Sequence, residues 1–462
     1  MGDLSRRDIL RNAGRVGLGG LVGSTLTGGA NARGATSSRP GPNIILIFID
    51  DLGWAELGCY GNRFNETPNI DQLAAGGTRF TDAYSAAPVC SPTRASLMTG
   101  QYPPRVGITD YLRADDEKHL SPEQETFVSP MKSRGYKTGL IGKWHLMGDY
   151  GKKRGAPSRH GFDEVICSET GYIAGGKYFH PYFFMKGVEA REEGEYLTDR
   201  LSVEAVDFIS RHKREPFFLF LSHYAVHTRL AAKRDKINKY KGKLGAGKRK
   251  NHPVLAAMIE SIDEGVGQIL DKLDRLGIAD DTVVIFTSDN GGEHRVTSNA
   301  PLRGGKSQLY EGGIRVPLIV RWPGKAGRGR VCKVPVNTVD LCPTFLDLAG
   351  ATREDRHAID GESLVPLLKG RQDLKRDALY WHYPLAKPHF LGGRSSGAIR
   401  KGDYKLIAFY ETGQTELYNL KADPGERQDL TPTMPGRVLE LRKLLEKWRD
   451  KVGARSSRGP GL

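Results

Sequence analysis

Four apolar runs in this sequence each stop at residues that chemistry can use. IILIFI (44–49) runs into Asp50 and Asp51, and KTGLIG (137–142) into Lys143, with His145 two residues on. FFLFL (217–221) is followed by His223 and His227, and TVVIF (282–286) by Asp289 and Asn290, with Lys306 further on in RGGK. Short apolar runs with polar ends read as buried strands of a parallel sheet. In open α/β sheets, sites form beyond the carboxyl ends of the strands. One Asp after a strand is ordinarily a helix cap, and one His ordinarily surface or satisfied core. The joint arrival of all these groups at one sheet edge predicts a shared cleft.

The groups sort by chemistry. Asp50, Asp51, Asp289 and Asn290 are hard oxygen donors, which suit Ca²⁺ or Mg²⁺ and not zinc, and adjacent carboxylates repel one another without a cation. Lys143, Lys306 and Arg94 would then surround a bound anion, and His145 and His227 could move protons near neutral pH. VCSPTRASLMTG (89–100) supplies a nucleophile. Ser91 reads as an N-cap, Pro92 as the first helical residue and Gly100 as the helix end. Cys90 is thus placed just outside the positive end of a helix, where an anion is favoured and the thiol pKa is expected to fall. The set fits attack on a tetrahedral, anionic ester.

These residues need a frame. PLIV (317–320) reads as a further strand, and 197–212 and 254–277 as helices, the second with Leu255, Ile259, Ile262, Val266, Ile269, Leu270 and Leu273 at helical spacing. Alternating strands and helices predict an α/β domain with helices on both faces, over 43–375. Beyond it the texture changes. GAIRKGDYKLIAF (397–409) and QTELYNLKADPGERQDL (414–430) read as antiparallel strands with turns, and VLELRKLLEKWRDKV (438–452) as a helix. This predicts a smaller C-terminal α+β subdomain over 376–455, then a disordered tail, 456–462.

The 462 residues suffice for a large core. No apolar run approaches the roughly 20 residues of a membrane-spanning helix. The net charge of +15 is compatible with an acidic polymer substrate. Nucleic acid is not expected, because no nucleic-acid module is present and aromatics are not interleaved with the basic clusters. Residues 229–250 hold ten Lys or Arg against one Asp, and read as a loop that is either merely solvated or meets an anionic substrate. SRRDILR (5–11), the Gly-rich stretch 16–29 and Ala30-Asn31-Ala32 together predict a twin-arginine export signal over 1–32, hence a periplasmic or extracellular protein. Besides Cys90, the cysteines at 59, 167, 332 and 342 could pair in three ways in an exported protein.

Cys90-Ser91-Pro92-Thr93-Arg94 resembles the C-x-P-x-R signature of type I sulfatases, and ASLMTG continues the likeness. NIILIFIDDLGW (43–54), GYKTGLIGKWHL (135–146), SDNGG (288–292), GGK (304–306) and GIRVPLIVRWPG (313–324) resemble sulfatase segments in the expected order. The resemblance implies an alkaline-phosphatase-like, mixed but mostly parallel sheet. It also implies that a separate maturation enzyme oxidises Cys90 to formylglycine, whose hydrate attacks sulfur. One Ca²⁺ would be bound by Asp50, Asp51, Asp289, Asn290 and the modified Cys90. Arg94 would hold the hydrate, Lys143 and Lys306 would contact sulfate, His227 with Lys306 would protonate the departing alcohol, and His145 would deprotonate the second hydroxyl. HTRL (227–230) stands where many members carry Pro, which bears on local substrate contacts. Residues 382–407 look like bacterial carbohydrate sulfatases, so a sulfated saccharide is the expected substrate, with His382, His389 and Arg394 as candidate sugar contacts. A phosphonate hydrolase of the same superfamily and a non-catalytic binder of sulfated glycans are the alternatives.

Overall fold

The strand Asn43–Ile49 shows how the sheet divides its core. Successive side chains of a strand point to opposite faces. Accordingly Ile45, Ile47 and Ile49 pack with Leu201, Phe208 and Ile262 on one side. Ile44, Leu46 and Phe48 pack with Leu97, Met98, Phe127 and Phe345 on the other. The helices Leu197–His212 and Pro253–Arg275 cover the first face, while Cys90–Thr99 and Leu341–Ala349 lie on the second. The structure, a computed structural model, describes residues 41–171, 177–353 and 358–454. The export signal read over 1–32 and the tail read over 456–462 lie outside the described residues.

Among the described residues the main sheet has eight strands. Its centre is parallel: Lys137–Gly142, Phe217–Ser222, Asn43–Ile49 and Thr282–Ser288 lie side by side in that order. The run read as a fifth parallel strand, Leu318–Arg321, is instead antiparallel to Thr282–Ser288. An apolar run carries no direction of its own; here the chain between the two strands turns back, so the second returns alongside the first. The sheet is therefore mixed but mostly parallel.

Register is what builds the site. Gly142 and Phe48 both pair with Ser222, and Ile49 pairs with Ser288. The residues that follow, Lys143, Asp50, His223 and Asp289, consequently leave the sheet at one level. Gly142 is required at this edge: its φ is +98°, and a Cβ there would lie 2.0 Å from the Ser222 carbonyl oxygen.

A second sheet of four antiparallel strands begins at Ala378: Ala378–Tyr383, Ser396–Lys401, Tyr404–Phe409 and Thr415–Asn419, in sequence order. The helix Pro435–Lys451 covers it through Leu441, Leu445 and Trp448. The Trp448 ring stacks on Tyr380 and meets Tyr102 edge-on. The cluster that contains them also takes in Ala86 and Val339, so the second sheet packs against segments of the main body.

The basic stretch is not a plain loop. Arg234–Lys241 is helical, and Lys236, Lys239 and Lys243 are held by Glu66, Glu260 and Glu264. All five cysteines are free thiols.

Candidate active site

The helix carrying Cys90 begins two residues earlier than its sequence suggests. It spans Cys90–Thr99, with Val89 in extended conformation as N-cap and Gly100 at φ +69° closing it. Ser91 is not the cap; its hydroxyl oxygen instead accepts from the Leu112 backbone N–H at 3.0 Å. Every residue of this helix is buried. Burial reverses the expected effect on the thiol: it pushes the Cys90 pKa well up, and Asp289 and Asp50 push the same way. A positive helix end is outweighed by desolvation and two carboxylates. The Cys90 thiol lies 3.3 Å from Asp50 Oδ1.

Below the thiol lies the acidic cluster. One ligand atom from each of Asp50, Asp51, Cys90 and Asp289 falls within 4.8 Å of the others. The chain supplies its own cations to these carboxylates. Lys143 Nζ is 2.5 Å from Asp50, Lys306 Nζ 2.8 Å from Asp51, and Arg94 Nη2 2.8 Å from Asp289. The two lysines expected around an anion thus rest on carboxylates here. Burial raises Asp50 and Asp51, but Lys143 and Lys306 respectively, each aided by His227, outweigh it and hold both below the ordinary range. Asp289 moves the other way: burial and Asp50 raise it despite Arg94. Arg94 also donates to Ser222 Oγ at 2.7 Å and to the Lys143 carbonyl, so it braces the cluster from behind.

Asn290 donates through Nδ2 to Asp51 at 2.8 Å, while its Oδ1 is buried without a hydrogen-bond partner. A buried orphan oxygen costs free energy unless a donor or a cation meets it. Set beside three carboxylates, it fits a hard divalent cation such as Ca²⁺ or Mg²⁺.

The two histidines are oriented differently. His145 Nε2 lies 3.0 Å from the Leu112 carbonyl, which assigns the ring proton to Nε2. Nδ1 is then a bare acceptor, buried and without a partner. Burial, Lys143 and Arg94 keep the ring's pKa well below the ordinary value, so it is neutral. His227 Nδ1 sits 2.6 Å from the Thr228 carbonyl, and its Nε2 is 3.8 Å from Asp51. Burial and Lys306 lower its pKa, with Asp51 and Asp50 opposing.

Glu169, which nothing in the sequence singled out, sets the backbone at His145. Its carboxylate accepts from the N–H of Trp144 at 3.0 Å and of His145 at 2.5 Å, and from Tyr224 Oη at 2.9 Å. His145 has φ +56°, a left-handed conformation, as have Asp51 (+63°) and Ser307 (+74°). Non-glycine residues held there concentrate at functional positions.

Above this floor opens a cavity of about 530 Å³. Cys90, Lys143, His145, His227 and Lys306 line its base, and Tyr111, Arg229, Glu293, Arg295, His389 and Phe390 line its walls. Of the three candidate sugar contacts only His389 is there. His382 is buried with its Nδ1 2.7 Å from Tyr410 Oη, and Arg394 lies over the Phe409 ring; both belong to the packing of the second sheet. His223 is also buried, and desolvation takes it down to about 3.

Residues 42–351 match the Sulfatase family, and residues 305–451 match the family described as N-sulphoglucosamine sulphohydrolase, C-terminal. Human steryl-sulfatase is 32% identical over 89% of this chain and 88% of its own length. Among solved structures, Ps i-CgsB in complex with k-i-k-neocarrahexaose superposes with a TM-score of 0.79 at 32% identity, covering 88% of this chain and 92% of that one. A protein in complex with its substrate D-glucosamine-2-N,6-O-disulfate superposes with a TM-score of 0.72 at 26% identity, covering 89% and 98%.

Proposed function

This chain belongs to the sulfatase family and is an enzyme that hydrolyses sulfate esters; from that premise we propose that it desulfates a saccharide, using a formylglycine made from Cys90 and a divalent cation, Ca²⁺ in preference to Mg²⁺. The observation that carries this reading is the cavity base, where Cys90, Lys143, Lys306, His145 and His227 stand over three carboxylates and an unpartnered amide oxygen. The saccharide follows from two structural neighbours bound to a neocarrahexaose and to a disulfated glucosamine, and from a cavity large enough for a sugar unit.

Asp50, Asp51, Asp289 and Asn290 are the residues that would hold the cation, which would polarise the sulfate oxygens. Formylglycine supplies, as its hydrate, one hydroxyl for attack on sulfur and a second whose deprotonation frees sulfate. The three carboxylates of the floor are already balanced by Arg94, Lys143 and Lys306. A divalent ion held there would leave the floor net positive, which would favour a monoanionic sulfate ester.

The chain's own groups then handle protons. His145, neutral and with Nδ1 bare, is the acceptor for the hydrate's proton. His227 gives a proton from Nε2 to the departing alcohol; burial and Lys306 lower its pKa, Asp51 works against them in favour of the protonated form, and Thr228 fixes the ring through Nδ1. Lys306, beside Asp51, holds the bridging oxygen as charge develops. Glu169 is a positioning residue for His145.

The reading extends to partners and place. A formylglycine-generating enzyme matures Cys90, and the segment 1–32 directs the chain through the twin-arginine translocase to the periplasm or beyond. Residues 43–375 form the catalytic domain and 376–455 the accessory one. The test is sulfate release from defined sulfated saccharides, with aryl sulfate and aryl phosphonate controls. Saccharide sulfates are expected to turn over. Intact mass of the Cys90 peptide from the native host is expected to show an aldehyde, and chelation is expected to abolish turnover, with Ca²⁺ restoring it. A plain thiol in fully active enzyme overturns the mechanism, and turnover of aryl sulfates alone overturns the substrate.

A further inference from the structure

The walls of the cavity differ from its base in how their charges are met. Lys143 and Lys306 rest on Asp50 and Asp51, and the Nε of Arg295 is 2.5 Å from Glu293. Arg229 is the exception. It lines the cavity, is exposed, and its guanidinium makes no hydrogen bond or ion pair with another described residue. Glu293 is the sole carboxylate among the described residues that line the cavity, and it is fully used: besides Arg295, it accepts from Thr228 Oγ1 at 2.8 Å. Arg229 is therefore a cation left without an internal counter-charge, facing a space built for an anionic substrate.

Its backbone is nevertheless held. Thr228 is tied to Glu293, and the His227 carbonyl accepts from Tyr178 Oη at 2.8 Å. Arg229 follows His227 by two residues, so it stands on the side of the cavity where the departing alcohol lies. Whatever it meets belongs to the sugar and not to the scissile sulfate.

An aromatic surface completes this wall. His389 and Phe390 stack with centroids 4.3 Å apart, Tyr111 meets His389 edge-on at 5.6 Å, and Arg295 lies over Phe390 at 5.1 Å. Phe390 is 70% exposed and lines the cavity. Burial, then Lys306 and Arg113, holds His389 down to about 4, so it is a neutral stacking surface at pH 7.

We propose that Arg229 and the Phe390 face form a subsite for a sugar unit bearing a second anionic group, a sulfate or a uronate carboxylate, so that multiply anionic saccharides are the preferred substrates. The inference rests on the sulfatase reading above and narrows its substrate class. A guanidinium takes a sulfate or carboxylate through two parallel N–H donors, which an ammonium cannot reproduce. An aromatic face takes the apolar side of a sugar ring.

The test compares kcat/KM for D-glucosamine-2-N,6-O-disulfate, for the 6-O-monosulfate, and for a 6-O-sulfated disaccharide carrying a uronate, in wild type, Arg229→Ala, Arg229→Lys and Phe390→Ala. Wild type is expected to prefer the doubly anionic substrates. Arg229→Ala is expected to cut that preference about tenfold, mainly through KM, with Arg229→Lys recovering part. Phe390→Ala is expected to raise KM for all three saccharides by a few-fold. A larger loss on the disulfate identifies sulfate as the group; a larger loss on the disaccharide identifies the carboxylate. Calorimetric binding of the disulfate to the inactive Cys90→Ala protein reads the same contact without turnover, and is expected to weaken when Arg229→Ala is added. An unchanged preference, or unchanged binding, in that variant overturns the subsite while leaving the reaction standing. Absence of turnover on every sulfate ester, with binding still dependent on Arg229, overturns the reaction and leaves the subsite.

Discussion

Two regions of this molecule bury charge, and they do so for different ends. At the cavity base, Asp50, Asp51, Asp289, Arg94 and Lys143 are each 3% exposed or less. Beneath the second sheet, Lys405 lies 2.9 Å from both Glu311 and Glu426, Arg400 is 2.7 Å from Asp82, and Tyr84 Oη donates to Glu311 at 2.7 Å. The second cluster joins strands Ser396–Lys401 and Tyr404–Phe409 to residues 82–84 and 311–315 of the main body. None of its members lines the 530 Å³ cavity. The cavity base does open onto that cavity, and it keeps acceptors that the chain does not satisfy, His145 Nδ1 and Asn290 Oδ1. Buried ion pairs alone therefore do not identify a site. Unpartnered acceptors alone do not either, since Asn43 Oδ1 and Glu426 Oε1 also lack a hydrogen bond; what marks the base is such an acceptor, His145 Nδ1, on a residue that lines a cavity.

The comparison can be broken from either side. Cys90→Ala is expected to have the largest effect, removing sulfate release by at least ~10³-fold with little change in thermal stability, since it deletes the reacting group from a floor whose charges stay balanced. His227→Ala follows, with a loss of ~10²–10⁴-fold on sugar sulfates. That loss should shrink on nitrophenyl sulfate, whose leaving group needs little protonation; equal losses on both substrates would remove His227 as the acid. Glu169→Gln is expected to lower kcat by roughly 10–100-fold with KM little changed, through a displaced His145. A shifted acidic limb of the pH profile, where the base His145 becomes protonated, would separate positioning from mere destabilisation.

The second region is tested through stability. Lys405→Met leaves Glu311 and Glu426 facing each other, and is expected to destabilise the fold by about 3–5 kcal/mol. Denaturant unfolding measures it, and specific activity of the folded fraction should hold. The smallest effect concerns Glu56, buried and hydrogen-bonded to Thr297 and Asn65, whose pKa burial raises from 4.5 to about 7. The folded state binds this proton more tightly than the unfolded chain. Its contribution is thus complete below pH 4.5 and lost as pH rises through 7, at most about 3 kcal/mol. Glu426, also raised to about 7, acts in the same direction. Glu56→Gln should flatten that decline; an identical slope in wild type and variant would refute the shift.

Much of this was legible in the sequence because the signals were local. The strand runs, the helices Leu197–His212 and Pro253–Arg275, and the hairpin around Gly402 follow from periodicity and turn residues. The residues just past four strand ends could be gathered because parallel strands in register must deliver them to one edge. Signals that needed a partner were not legible. Glu169 lies in a stretch with no pattern, and its role exists only through two backbone N–H groups near residue 145. His382 and His389 look equivalent as letters, yet one is sealed against Tyr410 and the other stands on the cavity wall.

The sequence by itself determined the chemical inventory: a thiol at a helix start, hard oxygen donors, three cations and two histidines at the mouths of strands, because side-chain type and strand period are local properties. Only the tertiary structure decided what state those groups are in. Desolvation raised the thiol that its helix end was expected to acidify, contact with carboxylates claimed Lys143 and Lys306, and the Leu112 carbonyl chose which nitrogen of His145 is bare. Protonation and pairing depend on burial and on neighbours far apart in the chain, and these exist only once the sheet has brought its strand ends together.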